Sequence, residues 1–217
     1  MQNLSFAPRG AALKILCLGA HSDDIEIGCG GTLLRLLEDN RGAEVAWVVL
    51  GASSGERKAE ALESAGRFLD KAGKKEIVVK DFRDGFFPYI GAEIKEFFEE
   101  LKGKHAPDLV LTHRREDLHQ DHRLVAELTW NTFRNHLILE YEIAKYEGDL
   151  GAPNFFVHLT EAVARKKVQI LLDAFRSQRG KHWFTEDTFL SLMRLRGLES
   201  NAPGRYAEGF HCRKACY

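Results

Sequence analysis

The chain has 217 residues, above the usual single-domain length but within what one hydrophobic core can serve, so a single domain over residues 1–217 is expected. Hydrophobic residues at 44% and charged residues at 29% exclude collagen, coiled coil and disordered chain, because that apolar content can offset chain entropy. With 31 Lys plus Arg against 32 Asp plus Glu, the net charge of −1 offers no long-range field to gather nucleic acid or anionic lipid, so neither is an expected partner.

The opening MQNLSFAPRGAALKI lacks the basic start and apolar run of a secretory leader. No segment approaches the roughly eighteen apolar residues of a membrane span, and a soluble, cytoplasmic protein is expected. Cys17, Cys29, Cys212 and Cys216 do not suggest a disulfide framework. Cys212 and Cys216 beside His211 have no second cysteine pair to complete a structural zinc site.

In chain order, Leu13 to Gly19 is an apolar run of strand length, and Thr32 to Glu38 repeats apolar residues at helical spacing before Gly42. Val45 to Leu50 is a second buried-type strand. Glu56 to Ala72 is a long helix with Ala61, Ala65, Phe68, Leu69 and Ala72 on one face. Ile77 to Phe82, Leu109 to Thr112 and Leu137 to Tyr146 read as further strands, with helices at Ile90 to Leu101 and Asp121 to Asn135. After Gly148 come a loop with Pro153 and helices near Thr160 to Arg176 and Glu186 to Leu198, read as an elaboration with no long apolar strand. The alternation predicts an α/β fold with a doubly wound, mainly parallel sheet and helices on both faces.

Chemistry concentrates at two strand ends. The first strand runs into Ala20-His21-Ser22-Asp23-Asp24-Ile25-Glu26, and the fourth into His113-Arg114-Arg115-Glu116-Asp117-Leu118-His119-Gln120-Asp121-His122. A strand order 3-2-1-4, followed by the fifth strand, brings both clusters to the topological switch point, where open α/β sheets bind ligands; a 2-1-3-4 order separates them. Imidazole and carboxylate suit Zn²⁺, and His21, Asp24 and His122 would supply three ligands with a fourth position open. The plain alternative makes Asp23 or Asp24 a helix N-cap, Asp117 a turn former and His122 a solvated helix residue.

The pairing of AHSDDIEIGCGG with HRREDLHQDH resembles the PIG-L/LmbE-like family of metal-dependent N-deacetylases, whose motifs are AHPDD-E and H-x-D-H. Weaker echoes are Arg57-Lys58-Ala59-Glu60-Ala61, Ser177-Gln178 with Lys181 and Trp183-Phe184, and Tyr206-Ala207-Glu208-Gly209-Phe210. The resemblance implies zinc on His21, Asp24 and His122, Asp23 as general base, His119 as oxyanion donor or acid, and Asp121 orienting His119. It further implies removal of an acetyl group from an N-acetylated amino sugar, substrate contacts from Arg57 and Glu208, and admits a homo-oligomer. Ser22 stands where the family commonly has proline, which frees φ in the loop.

Rival readings remain open. Gly51-Ala52-Ser53-Ser54-Gly55 matches the G-x-S-x-G elbow of serine hydrolases, with Ser53 as nucleophile. A sugar- or metal-binding module without turnover would need ligands but no base. Gly28-Cys29-Gly30-Gly31 lacks the last glycine of a dinucleotide loop and reads as close packing at a helix start. Phe86, Phe87, Tyr89, Phe97 and Phe98 read as core, and His105, His136 and His158 as isolated. Specificity is expected in the loops Asp81 to Tyr89 and Gly148 to Leu159.

Overall fold

The computed structural model describes residues 11–52 and 55–216; Ser53 therefore lies outside the described residues. Strands β1 (Lys14–His21), β2 (Glu44–Gly51), β3 (Lys74–Val79), β4 (Leu109–His113), β5 (Leu137–Tyr141), β6 (Phe155–Leu159) and β7 (Tyr206–His211) form one sheet ordered β3-β2-β1-β4-β5-β7-β6. The first five pair in parallel, and β7 runs antiparallel to both β5 and β6. The expected 3-2-1-4-5 order is present, and Ile15 of β1 stands opposite Val45 of β2 on one side and Leu109 of β4 on the other.

Strand side chains alternate between two cores, as a sheet covered on both faces requires. Ile15 and Cys17 face a core shared with α1 (Asp24–Asp39), α2 (Gly55–Phe68), α5 (Glu161–Ala174) and α6 (Glu186–Glu199). Leu16, Leu18 and Ala20 face α3 (Gly91–Lys104) and α4 (Gln120–Thr132). The aromatic concentration divides: Phe87, Phe97 and Phe98 are buried, whereas Phe86 is 39% and Tyr89 76% exposed. All four cysteines are free; Cys17 is fully buried, and burial raises its thiol pKa.

Two strands escaped the sequence reading. β6 is a five-residue edge strand within the segment expected to be a loop, and β7 (YAEGFH) carries Glu208, Gly209 and His211 in place of an apolar run. Both form because pairing satisfies their backbone: Val157 stands opposite Glu208 and Leu159 opposite Tyr206. β5 stops at Tyr141, five residues before the expected end.

Helix α1 begins at Asp24, well before the predicted Thr32, and is interrupted at Cys29 (φ −144°, ψ 15°). The interruption lets its backbone pass closely over the sheet: a Cβ on Gly28 would come within 2.1 Å of the Tyr141 ring, and one on Gly31 within 2.6 Å of Leu159 Cδ1. A broken helix frees backbone N–H groups, and here Gly31 and Thr32 donate to the Glu208 carboxylate at 2.8 and 2.6 Å. Lys167 Nζ donates to the same carboxylate at 2.6 Å and to Ile27 O at 2.6 Å. Glu208 is 4% exposed, so the expectation of a substrate contact is corrected: its carboxylate is occupied in holding α1 to β7 and α5.

Candidate active site

β1 ends at His21 and β4 at His113, and adjacency in the sheet places the two motif loops side by side. The first loop turns back at once, because the His21 N–H donates to Asp24 Oδ2 at 2.6 Å. That bond pins the segment around the buried Ser22, supplying locally the restraint a proline would bring. Asp23 occupies the N-cap position of α1 but makes no side-chain capping bond, so the capping alternative does not account for it.

His21, Asp24 and His122 converge. His21 Nδ1 lies 3.1 Å from His122 Nε2 and 3.4 Å from Asp24 Oδ2, and His122 Nε2 lies 3.5 Å from Asp24 Oδ1. The opposite ring nitrogens are engaged by carboxylates. His21 Nε2 faces Asp121 Oδ2 at 3.2 Å and Asp84 Oδ1 at 3.0 Å, while His122 Nδ1 faces Asp117 Oδ2 at 3.1 Å. Each imidazole thus presents its remaining nitrogen to the common point, the arrangement in which an outer carboxylate fixes a metal-ligating histidine.

Burial lowers the pKa of His122, and the neighbouring His113 lowers it further, leaving it at about 4, so its imidazole is neutral near pH 7. Burial would raise Asp24, but His122, His113 and His21 outweigh it and hold this carboxyl well below its usual range. A neutral imidazole and an ionised carboxylate are the forms in which His122 and Asp24 bind a divalent ion; burial opposes protonation of His21, but Asp24, Asp121 and Asp84 prevail and raise its pKa, so an ion binding there displaces its proton. Further groupings able to hold an ion are His21 with His119 and His122, Asp24 with His113 and His122, and His21 with Asp84 and Asp121.

Three members of the site have roles that the sequence reading did not assign. His113, fully buried, stacks under His122 with ring centroids 3.9 Å apart, accepts the Ala20 N–H at Nε2 (2.9 Å) and approaches Asp24 Oδ2 at 3.2 Å. Asp117, read as a turn former, is buried and tied to His122, to Lys145 Nζ (2.9 Å) and to the His119 N–H (2.8 Å). Asp84, from the connection after β3, reaches His21 across the sheet edge. Their signal was location: His113 and Asp117 flank the fourth-strand motif, whereas only tertiary structure brings Asp84 to it.

Asp121 corrects a pairing. Its carboxylate was expected to orient His119, yet it accepts the N–H groups of Gly85 (2.6 Å) and Phe87 (3.1 Å) and faces His21. His119 is instead the N-cap of α4, its Nδ1 accepting the Asp121 N–H at 3.3 Å. With Nδ1 accepting, Nε2 is the donor nitrogen of this ring. His119 and Asp121 stand two residues apart at the start of α4, and their side chains take different partners.

Asp23 is 7% exposed, and burial raises its pKa; the Arg57 guanidinium, 3.2 Å away, opposes the rise and Asp24 adds to it. Arg57 also pairs with Glu60 at 3.4 Å and lies 5.4 Å over the Phe175 ring. His21, Asp23, Asp24, His119, His122 and Arg57 open into one cavity of about 610 Å³. Of the loops expected to set specificity, Asp81 to Tyr89 contributes Asp84 to this cavity, while Gly148 to Leu159 contributes none of its lining; the far wall comes from 143–147 and 178–188. A second cavity of about 330 Å³, at the opposite sheet edge by Lys14, Glu44 and Lys74, holds none of these groups.

The sheet and its His/Asp cluster at the β1/β4 switch point define an α/β protein with a site suited to a divalent ion. Residues 16–133 match the PIG-L family, GlcNAc-PI de-N-acetylase, and the chain belongs to that family. It is similar to a diacetylchitobiose deacetylase from Thermococcus kodakarensis, 32% identical over 108 residues covering 45% of this chain and 39% of that protein. The chain therefore matches about two-fifths of the length of that relative. In fold it is similar to a conserved protein of Thermus thermophilus, with a TM-score of 0.75, 22% identity and coverage of 94% and 97%. It is also similar to a 4-carboxy-2-hydroxymuconate hydratase from Pseudomonas putida, with a TM-score of 0.70, 17% identity and coverage of 94% and 98%. Among the described residues no helix is long and apolar enough to cross a membrane.

Proposed function

We propose that the protein is a zinc-dependent N-deacetylase acting on an N-acetylated amino sugar. The observation that carries this reading is a buried carboxylate, Asp23, in one cavity with the convergent nitrogen and oxygen atoms of His21, Asp24 and His122. Membership of the PIG-L family gives it its chemical direction. The hydratase likeness concerns fold alone, and a fold hosts many reactions.

His21, Asp24 and His122 would hold the ion. A divalent ion bound there supplies Lewis acidity toward the amide carbonyl and makes water more acidic. The remaining work belongs to the chain. Asp23, its carboxyl raised by burial, accepts the proton of the attacking water at Oδ and returns it to the departing amine. Arg57 fixes the orientation of that carboxylate. His119 donates from Nε2 to the oxyanion that develops on the former carbonyl oxygen, its ring held by the Asp121 N–H. Asp121, Asp84 and Asp117 keep the ligand histidines in the tautomers that bind metal.

The test is acetate release from a panel of N-acetylated glycosides and sugar nucleotides, measured on protein loaded with Zn²⁺ and on the chelated protein. Activity only with metal supports the assignment. Activity that survives chelation and is abolished by a serine-directed fluorophosphonate favours Ser53 instead, and bound metal with no acetate from any substrate favours the binding module.

A further inference from the structure

The segment after β7 lies outside residues 16–133, which carry the family match, yet it returns to the loop between β4 and α4. The strand register sets this up. Glu140 of β5 stands opposite His211 of β7, so the chain leaving that strand carries Arg213 onto the Glu140 carboxylate. Glu140 is fully buried, and Arg213 meets it with a side-on fork: Nε donates to Oε1 at 2.7 Å and Nη2 to Oε2 at 3.3 Å. The same carboxylate also accepts the Trp130 Nε1–H and the Arg115 N–H, the latter at 3.2 Å. The tail itself is fixed on both sides of Arg213. Cys212 exchanges two hydrogen bonds with the Asn154 side chain, at 2.8 and 3.1 Å, and Lys214 Nζ lies 5.1 Å over the Trp130 ring and donates to Arg134 O at 3.2 Å.

The same guanidinium reaches into the motif loop, where Nη2 donates to both oxygens of Glu116. Two consecutive loop residues are thereby tied to one point: Arg115 through its N–H on Glu140, and Glu116 through Arg213. The next residue is Asp117, which faces His122 Nδ1 at 3.1 Å and accepts the His119 N–H at 2.8 Å. From the other side the loop is held by Lys145 Nζ on Asp117 (2.9 Å) and by Asp149 on the Leu118 N–H (2.7 Å). An exposed ion pair contributes little alone, but a fork seated on a buried carboxylate is held in one place and can carry a second anion with it. A carboxylate that orients a metal-ligating imidazole must stay within hydrogen-bond reach of it, and the direction in which Asp117 leaves the loop decides that reach.

We infer that Arg213 is a positioning residue for the active site, bridging Glu140 and Glu116 so that the loop sets Asp117 against His122 and His119. It touches neither the metal ligands nor the cavity and acts wholly through the loop. The inference rests on the ligand set His21, Asp24 and His122, and its consequence for turnover rests on the deacetylase reading.

The experiment measures Zn²⁺ affinity by competition with a chelating dye, kcat and KM for acetate release, and Tm, in Arg213→Ala, Arg213→Lys and Glu116→Gln. Glu116→Gln is the decisive variant, because its side chain is half exposed and the Arg213–Glu140 pair stays intact. Its Tm should lie within about 2 °C of wild type. Zinc binding should nevertheless weaken by about tenfold, there and in Arg213→Ala, the lower end of what loss of an outer partner does. kcat should fall by a similar factor with KM nearly unchanged. Arg213→Lys restores the charge without the fork, so it should recover Tm over Arg213→Ala but not zinc affinity. Combining Glu116→Gln with Arg213→Ala should cost no more zinc affinity than Arg213→Ala alone, because both cut one link. Wild-type zinc affinity in both single variants, with or without a lowered Tm, overturns the inference, and so do losses that multiply in the double variant. If the wild-type protein binds zinc but releases no acetate from any substrate, the deacetylase reading falls, while the zinc affinities still decide the role of Arg213.

Discussion

Replacing Glu208 with glutamine separates its structural role from the substrate contact expected of it. The carboxylate accepts three hydrogen bonds, from Gly31, Thr32 and Lys167, all in a buried setting. An amide of the same shape loses one acceptor oxygen and turns an NH₂ toward a backbone N–H, and the Lys167 ammonium, itself 2% exposed, is left without its anion. Breaking one side of such a buried pair costs about 3–5 kcal/mol. For a chain of this size each kcal/mol moves the midpoint by about 2–4 °C, so Glu208→Gln should lower Tm by roughly 6–20 °C. Thermal unfolding by circular dichroism measures this directly. Adding Lys167→Met removes the stranded charge and should recover part of the loss, which a double-mutant cycle quantifies. A midpoint within about 2 °C of wild type together with a raised KM on glycosides would refute the reasoning and return Glu208 to the substrate.

Asp23→Asn should retain bound zinc and lower kcat by about 10²–10⁴-fold, since the amide cannot accept a proton; unchanged turnover at saturating substrate removes Asp23 from the mechanism. His21→Ala, Asp24→Ala and His122→Ala should each lose the metal, and full occupancy in all three by elemental analysis refutes the ligand set. Asp117→Asn should keep the ligands but weaken zinc binding by about 10–100-fold, read by competition with a chelating dye; undiminished affinity would mean that His122 needs no outer partner. Burial pushes Glu142 upward, but the His211 imidazole, 3.8 Å away, and the Arg196 guanidinium at 2.9 Å prevail and hold its pKa below the ordinary 4.5. Stability from that pair is therefore fully present above about pH 4.5 and is lost as pH falls through the depressed folded pKa. Urea midpoints from pH 7 to 3 should show a loss that Glu142→Gln flattens, and a parallel decline in the variant contradicts it.

Some of this protein could be read from its chain alone. The apolar runs at Leu13 to Gly19, Val45 to Leu50 and Leu109 to Thr112 become β1, β2 and β4 because a parallel strand buried on both faces leaves little room for polar residues. The two His/Asp clusters could be assigned to one sheet edge because each follows such a strand, and the switch-point rule does the rest. Local pattern failed where burial is achieved by pairing charge instead of by excluding it. β7 includes Glu208, balanced by Lys167 and two helix N–H groups, and no window of its own sequence contains those partners.

The division within the site has the same cause. Residue types and spacing identified His21, Asp23, Asp24, His119 and His122 as a cluster, since the first three lie within three residues of the end of β1 and the last two within nine of the end of β4. Which partner each one faces was decided by tertiary structure. Asp121 turns to His21 and the Gly85 and Phe87 N–H groups, Asp117 takes His122, and Asp84 arrives from the connection after β3. A carboxylate can serve any donor within reach, and reach depends on how loops 84–87 and 117–121 pack over the sheet edge. Composition and periodicity thus determined the layers and the kind of chemistry, whereas packing decided the hydrogen-bond partners, because those contacts join residues far apart in the chain.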